Sequence, residues 1–206
     1  MRTIDIDTPR GVARAHLRPH GDARAALILG HGAGGGVTAP DLLAAARGAE
    51  AAGARVVLVE QPYRVAGRRS PAPARQLDAA WAAVVERLQG EELSGLPLVL
   101  GGRSAGARVA CRTAATVGAV GVLCLAFPLQ PPGRSQAPSR IAELDAVTVP
   151  MLVVQGERDA FGMPPPGPQR TVVRVAGDHG LKADVGSVEL ATRDWLAGLL
   201  AGARSS

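Results

Sequence analysis

Pro97 to Arg108 reads PLVLGGRSAGAR, and the fold is decided by how this stretch is read. A short aliphatic run runs into Gly102-x-Ser104-x-Gly106, and a small-residue stretch with helical character follows. A serine between a strand and a helix, with glycine two residues to either side, fits a sharp turn that lifts the side chain off the sheet edge. The flanking glycines lack Cβ, so neighbouring backbone can come close. Ala105 then opens the helix, and its amide faces the space in front of the serine, where negative charge would be stabilised.

Outward from that turn, short aliphatic runs recur at Ala25–Leu29, Arg55–Glu60, Pro97–Leu100, Val120–Ala126, Pro150–Gln155 and Thr171–Val175. Near-continuous apolar strands of this kind are buried on both faces, as in a parallel sheet covered by helices. Arg2–Asp7 and Val12–Arg18 alternate instead, around Thr8-Pro9-Arg10-Gly11, which predicts an antiparallel hairpin leading into the array. The total is eight strands. Between them a helix is expected over Pro40–Ala52 with Thr38 as its cap, and a second where Leu77, Trp81, Val84, Val85 and Leu88 form one apolar stripe ending at Gly90. A third follows Ser104. A last one, Ser187–Leu200, is expected to bury Ala191, Trp195, Leu196 and Leu199. No linker or repeat interrupts residues 1–206, so one domain is expected.

A nucleophilic serine needs a base, and the base needs an orienting acid. On a sheet of this kind they follow in the order Ser, Asp or Glu, His. Of the four histidines, His16 and His20 precede the parallel array and His31 lies in a glycine loop. His179, in AGDHGLK after the last strand, is left as the base. The acid belongs in QGERDAFG, where Asp159 fits best, with Glu157 and Asp178 as alternatives.

Leu27 to Pro40, LILGHGAGGGVTAP, complicates the reading. Gly30, Gly32 and Gly35 spell the G-x-G-x-x-G of a dinucleotide site, with Glu60 placed to hold a ribose. But the helix after it is delayed to about Pro40, whereas a pyrophosphate must meet a helix N-terminus at the glycines. The same loop serves as an oxyanion loop, with the backbone N–H of Ala33 as second donor beside Ala105. Tyr63, Phe127 and Phe161 lie just beyond strand ends on the same rim and are candidates for an apolar substrate pocket. Arg64, Arg68 and Arg69 form the one tight basic cluster, also on that rim; a solvated loop is expected there, with attraction of a carboxylated or phosphorylated substrate as the alternative.

HGAGGG, GGRSAGAR, EQPYRVAGRRSPAPARQLDAAW, VVQGERDAFG and GDHGLK together resemble one family. It is the small α/β-hydrolase family of bacterial dienelactone-hydrolase-like proteins and the hydrolase-like domains of testis-expressed and KANSL-type proteins. The resemblance runs from about Leu27 to the C-terminus. It implies an α/β-hydrolase fold with helices on both faces of the eight-stranded, mostly parallel sheet, and Ser104, Asp159 and His179 as a triad. The chain departs from dienelactone hydrolases proper, which use cysteine where Ser104 stands. The short segment after Phe127 leaves little room for a cap domain. The expected activity is hydrolysis of an ester, thioester or related acyl bond of a small molecule, without metal or cofactor. The alternative is an interaction protein on the same fold whose triad is idle, as in the family's scaffold members.

Composition adds exclusions. The net charge of +5 is dispersed, only five residues are aromatic, and no basic run is interleaved with aromatics, which argues against nucleic-acid binding. The longest apolar stretch, Ala119–Phe127, is too short to span a bilayer, and the acidic, alternating MRTIDIDT is not expected to act as a signal peptide. Cys111 and Cys124 read as buried free thiols of a reducing compartment, so a cytoplasmic location is expected. A homo-oligomer is left open.

Overall fold

A computed structural model describes residues 1–133 and 136–202 of the chain. The N-terminal hairpin is β1 (Arg2–Thr8) and β2 (Gly11–Leu17), with Thr8 opposite Gly11 in a turn that puts Gly11 at φ +102°. Six further strands follow: β3 (Ala25–Gly30), β4 (Ala54–Glu60), β5 (Leu98–Arg103), β6 (Gly121–Leu125), β7 (Met151–Gly156) and β8 (Arg170–Val175). They form one eight-stranded sheet in the order β1-β2-β4-β3-β5-β6-β7-β8. β2 joins β4 antiparallel, and every pairing from β4 to β8 is parallel.

The unbroken apolar runs of the parallel strands follow from this layering. Ile28, Val57, Leu100, Cys124 and Val153 point into one core, while Leu27, Leu29, Leu58, Val99, Leu123 and Val154 point into the other. The first core is covered by α3 (Ala74–Gly90) and α4 (Ala105–Thr113), the second by α1 (Pro40–Ala51) and α6 (Val185–Gly202). Two short helices, α2 (Pro62–Val65) and α5 (Ile141–Asp145), sit in loops. The expected stripe of α3 is buried in full, with Ala80 added.

Two local expectations fail. Thr38 does not cap α1: the N-cap is Ala39, without a side-chain hydrogen bond, and Pro40 starts the helix. Proline at the first position needs no N–H partner, so the turn forms without the threonine. In α6 the buried residues are Val188, Thr192, Leu196 and Leu200, while Ala191, Trp195 and Leu199 are half-buried. The rotation has a steric cause. α1 touches α6 at Gly48, where a Cβ would lie 2.2 Å from the Glu189 carbonyl oxygen, so the Val188–Thr192 face is drawn against α1. Thr192 survives burial because its hydroxyl donates to the Val188 carbonyl (2.8 Å).

Candidate active site

β5 ends at Arg103, and Ser104 turns the chain into α4 with φ +52° and ψ −109°. A non-glycine residue at positive φ is strained and must be held by its surroundings. Ser104 N–H donates to the Leu125 carbonyl at the end of β6 (2.9 Å). The glycines flanking the serine pack directly onto the end of β3. A Cβ on Gly102 would stand 2.6 Å from the Gly30 oxygen, and one on Gly106 would stand 2.4 Å from it.

The loops after β7 and β8 converge on this turn. His179 Nδ1 lies 2.8 Å from Asp159 Oδ2, and His179 Nε2 lies 2.9 Å from Ser104 Oγ. A carboxylate only accepts, so Nδ1 carries the proton and Nε2 is free to accept from the serine hydroxyl. The Asp159 side chain is fully buried. Its Oδ1 accepts from the Phe161 N–H (2.8 Å) and its Oδ2 also accepts from Gln155 Nε2 (2.8 Å). The Phe161 ring lies 4.2 Å from the His179 ring and covers it. The two alternative acids point elsewhere. Glu157 is exposed, and Asp178 Oδ1 accepts from the Gly180 N–H (2.8 Å).

The glycine loop is fixed from behind by His31, which is 3% exposed. Its Nε2 accepts from the Gln61 N–H (3.1 Å), so Nδ1 bears the proton and donates to the Gly32 carbonyl (2.8 Å). Burial holds this imidazole below its ordinary range and keeps it neutral. Gly32 O also accepts from the Gly35 N–H (3.2 Å). In a trans peptide the N–H points opposite to the C=O, so the Ala33 N–H faces away from His31. Neither that N–H nor the N–H of Ala105 meets a backbone or side-chain acceptor among the described residues. Gly32 lies beside the serine, since a Cβ built there would be 3.6 Å from Ser104 Cβ.

Arg103, one residue before the serine, was not singled out by its sequence context. Its Nε donates to Asp41 Oδ2 (3.0 Å) and its Nη2 to the His179 carbonyl (3.0 Å). It passes close over Gly32, where a Cβ would be 2.7 Å from Nη1. Asp41 is fully buried in the first turn of α1. Desolvation raises its pKa, and the Arg103 guanidinium opposes that rise. One side chain thus ties the serine turn, the glycine loop, α1 and the histidine loop together.

Of the three pocket candidates, Phe161 is half-buried on His179, and Tyr63 is buried with its hydroxyl donating to the Ala33 carbonyl (3.0 Å). Phe127 is a correction: it has no exposed surface and belongs to the core. The chain turns at Ala126, at φ +49°, and sends the ring inward, while the Phe127 carbonyl accepts from Gln155 Nε2 (3.1 Å). Among the described residues no cluster of side chains could hold a metal ion, and no helix is long and apolar enough to cross a membrane.

This sheet, with its serine turn at the end of β5 and histidine loop after β8, is the α/β-hydrolase architecture. The chain belongs to the α/β hydrolase domain family, whose model matches residues 23–191, and is a hydrolase by that membership. A lidless α/β serine hydrolase from Xanthomonas campestris superposes with a TM-score of 0.71 at 21% identity, over 94% of each chain. Est1E from Butyrivibrio proteoclasticus gives 0.76 at 15% identity, over 97% of this chain and 99% of its own. Dienelactone hydrolase from Anabaena variabilis gives 0.72 at 16%, over 94% and 95%. At these identities the likeness is one of fold. No functionally curated protein matches the chain.

Proposed function

We propose that the chain is a serine hydrolase of esters or thioesters of small molecules, working through an acyl-enzyme on Ser104. The carrying observation is the continuous hydrogen-bond relay from Ser104 Oγ to His179 Nε2 (2.9 Å) and from His179 Nδ1 to Asp159 Oδ2 (2.8 Å). Ser104 Oγ attacks the acyl carbon as its proton passes to His179 Nε2. The imidazolium so formed is stabilised by the buried Asp159 carboxylate. The carbonyl oxygen becomes an oxyanion held by the N–H groups of Ala105 and Ala33, neither of which meets an acceptor among the described residues. His179 returns the proton to the leaving alkoxide or thiolate. Water, deprotonated by the same imidazole, then attacks the acyl-serine, and a second oxyanion collapses to free acid and Ser104. Each oxyanion donor is worth about 2.7–4 kcal/mol in the transition state.

Among the described residues no cap stands over Ser104, which favours small or exposed acyl groups. Phe161, stacked on His179, would border the substrate. Tyr63 supports the loop through Ala33, and Phe127 has no role in contact with substrate.

The test is a fluorophosphonate probe together with p-nitrophenyl acetate. Native protein should label on Ser104 and turn over the ester, and Ser104→Ala and His179→Ala should do neither. A folded native chain that neither labels nor exceeds the uncatalysed rate refutes the proposal.

A further inference from the structure

A cavity of about 410 Å³ opens between the turn of the N-terminal hairpin, α2 and the start of α3. None of Ser104, Asp159 and His179 lines it. Its wall is mainly apolar, with Val12, Pro62, Val65, Ala72, Leu77 and Ala80 beside Gln61 and Gln76, and Arg10 and Arg68 complete it from exposed positions. No aspartate or glutamate lines it.

The arginines here differ from most others in the molecule. Most guanidiniums elsewhere are matched to carboxylates, as in Arg14–Asp5, Arg18–Glu50, Arg108–Glu143 and Arg112–Asp78, and Arg24, Arg55 and Arg140 donate to backbone carbonyls. Arg10 and Arg68 have no such partner among the described residues, and neither do Arg64, Arg69 and Arg75, which flank the cavity on the same 61–76 segment. The acids that bracket the 61–76 segment are already engaged, Glu60 by His16 (3.1 Å) and Asp78 by Arg112 (2.6 Å), and Asp7, three residues before Arg10, is exposed and forms no ion pair with it. Five uncompensated positive charges beside one apolar cavity repel one another and raise the local concentration of anions. A guanidinium fork matches a carboxylate or phosphate with two parallel hydrogen bonds, and a hydrocarbon body gains by leaving water for the apolar wall.

We propose that this cavity is a binding site for an amphiphilic anion: a carboxylate or phosphate head held at the mouth by Arg10 and Arg68, with a medium-length apolar body inside. The site is distinct from the serine centre but shares a wall with it. Tyr63, which lines the cavity, holds the Ala33 carbonyl, and the backbone of Gln61, also in the wall, holds His31. An occupant therefore touches the two residues that fix the glycine loop.

The test is calorimetric titration of the full chain with octanoate, octyl phosphate and the uncharged octanol, in the Ser104→Ala background so that turnover plays no part. At least one anion should bind saturably and at least tenfold more tightly than octanol, weakening as salt is raised, and the better head identifies the source. Arg10→Gln/Arg68→Gln should reduce that affinity at least tenfold and leave octanol unchanged. Arg158→Gln/Arg174→Gln, which removes two unpaired arginines outside the cavity, should have no effect. Both pairs lie on the surface, so loss of fold does not confuse the result. Equal binding of octanol, absence of saturable anion binding, or an equal effect of the two double variants overturns the proposal. Hydrolysis is not measured, so failure here leaves the assignment of Ser104 standing, and failure of probe labelling leaves this one standing.

Discussion

Replacing Arg103 by methionine keeps the length of the side chain and removes its charge. Asp41 then keeps backbone N–H partners, that of Leu42 on Oδ1 at 3.0 Å, and Oδ2 loses its sole side-chain partner at a side-chain exposure of 1%. Breaking a buried pair by removing one member typically costs 3–5 kcal/mol. Arg103 retains 19% exposure, so the lower end applies, about 3 kcal/mol at pH 8. The pH dependence has a definite sign. Burial already places the folded pKa of Asp41 above its unfolded value, so the folded chain binds more protons and stability falls as pH rises through the folded pKa. Loss of Arg103 raises that pKa further. The gap between Arg103→Met and native protein should therefore narrow as pH falls from 8 to 5. Urea unfolding followed by the fluorescence of Trp81 and Trp195 measures it. In Arg103→Met/Asp41→Asn the uncompensated charge is gone, and about half of the lost stability should return. The ester kcat should stay low in both variants, because the His179 carbonyl has lost its anchor. A loss under 1 kcal/mol, a gap that widens in acid, or a double variant no more stable than the single refutes the reasoning.

Gly106→Ala places a Cβ against the Gly30 and His31 carbonyls and should cost about 2–4 kcal/mol with near-complete loss of activity; native stability in urea contradicts it. His31 should remain neutral in the folded protein where an ordinary histidine half-titrates, near pH 6.5, as read from its Cε1 proton shift by NMR. Its depressed pKa means the unfolded chain binds the extra proton, so stability is lost as pH drops below about 6.5. Cys111 and Cys124 are buried with sulfurs 3.5 Å apart, and the hydrogen bond with Cys111, together with burial, pushes the Cys124 thiol well up. Ellman's reagent should find no reactive thiol in the native protein at pH 8 and two in denaturant; rapid native labelling contradicts that burial.

The sheet was legible because its strands are buried on both faces and so carry unbroken Val, Leu and Ile runs, such as Val56 to Val59. That Ser104, Asp159 and His179 would meet was legible because a tight strand-to-helix turn needs glycine at fixed offsets, and because chain order limits where the other two can lie. Arg103–Asp41 was not, since it joins residues 62 apart whose meeting depends on how α1 seats beside β5. Gln155 read as the polar end of a strand, and its grip on Asp159 follows from the loop after β7 folding back over it. The face of α6 was misjudged because its apolar and small residues surround the helix, so periodicity could not choose the orientation that Gly48 imposes. Phe127 was misplaced because position after a strand does not tell which way the next side chain turns.

The contact between the end of β3 and the serine turn also bears on how the chain can change. Gly30, Gly102 and Gly106 are separate in sequence but form one steric unit, in which any added methyl group meets the others or Trp81 within 3.1 Å. A saturation library selected for activity should score all three nearly as intolerant as Ser104, though none has an atom to offer the reaction. Intolerance at Gly102 and Gly106 would mark the fit of two backbones, and at Gly30 the fit of the chain against the Trp81 ring. A search for reactive residues by mutational sensitivity alone would therefore count three participants too many.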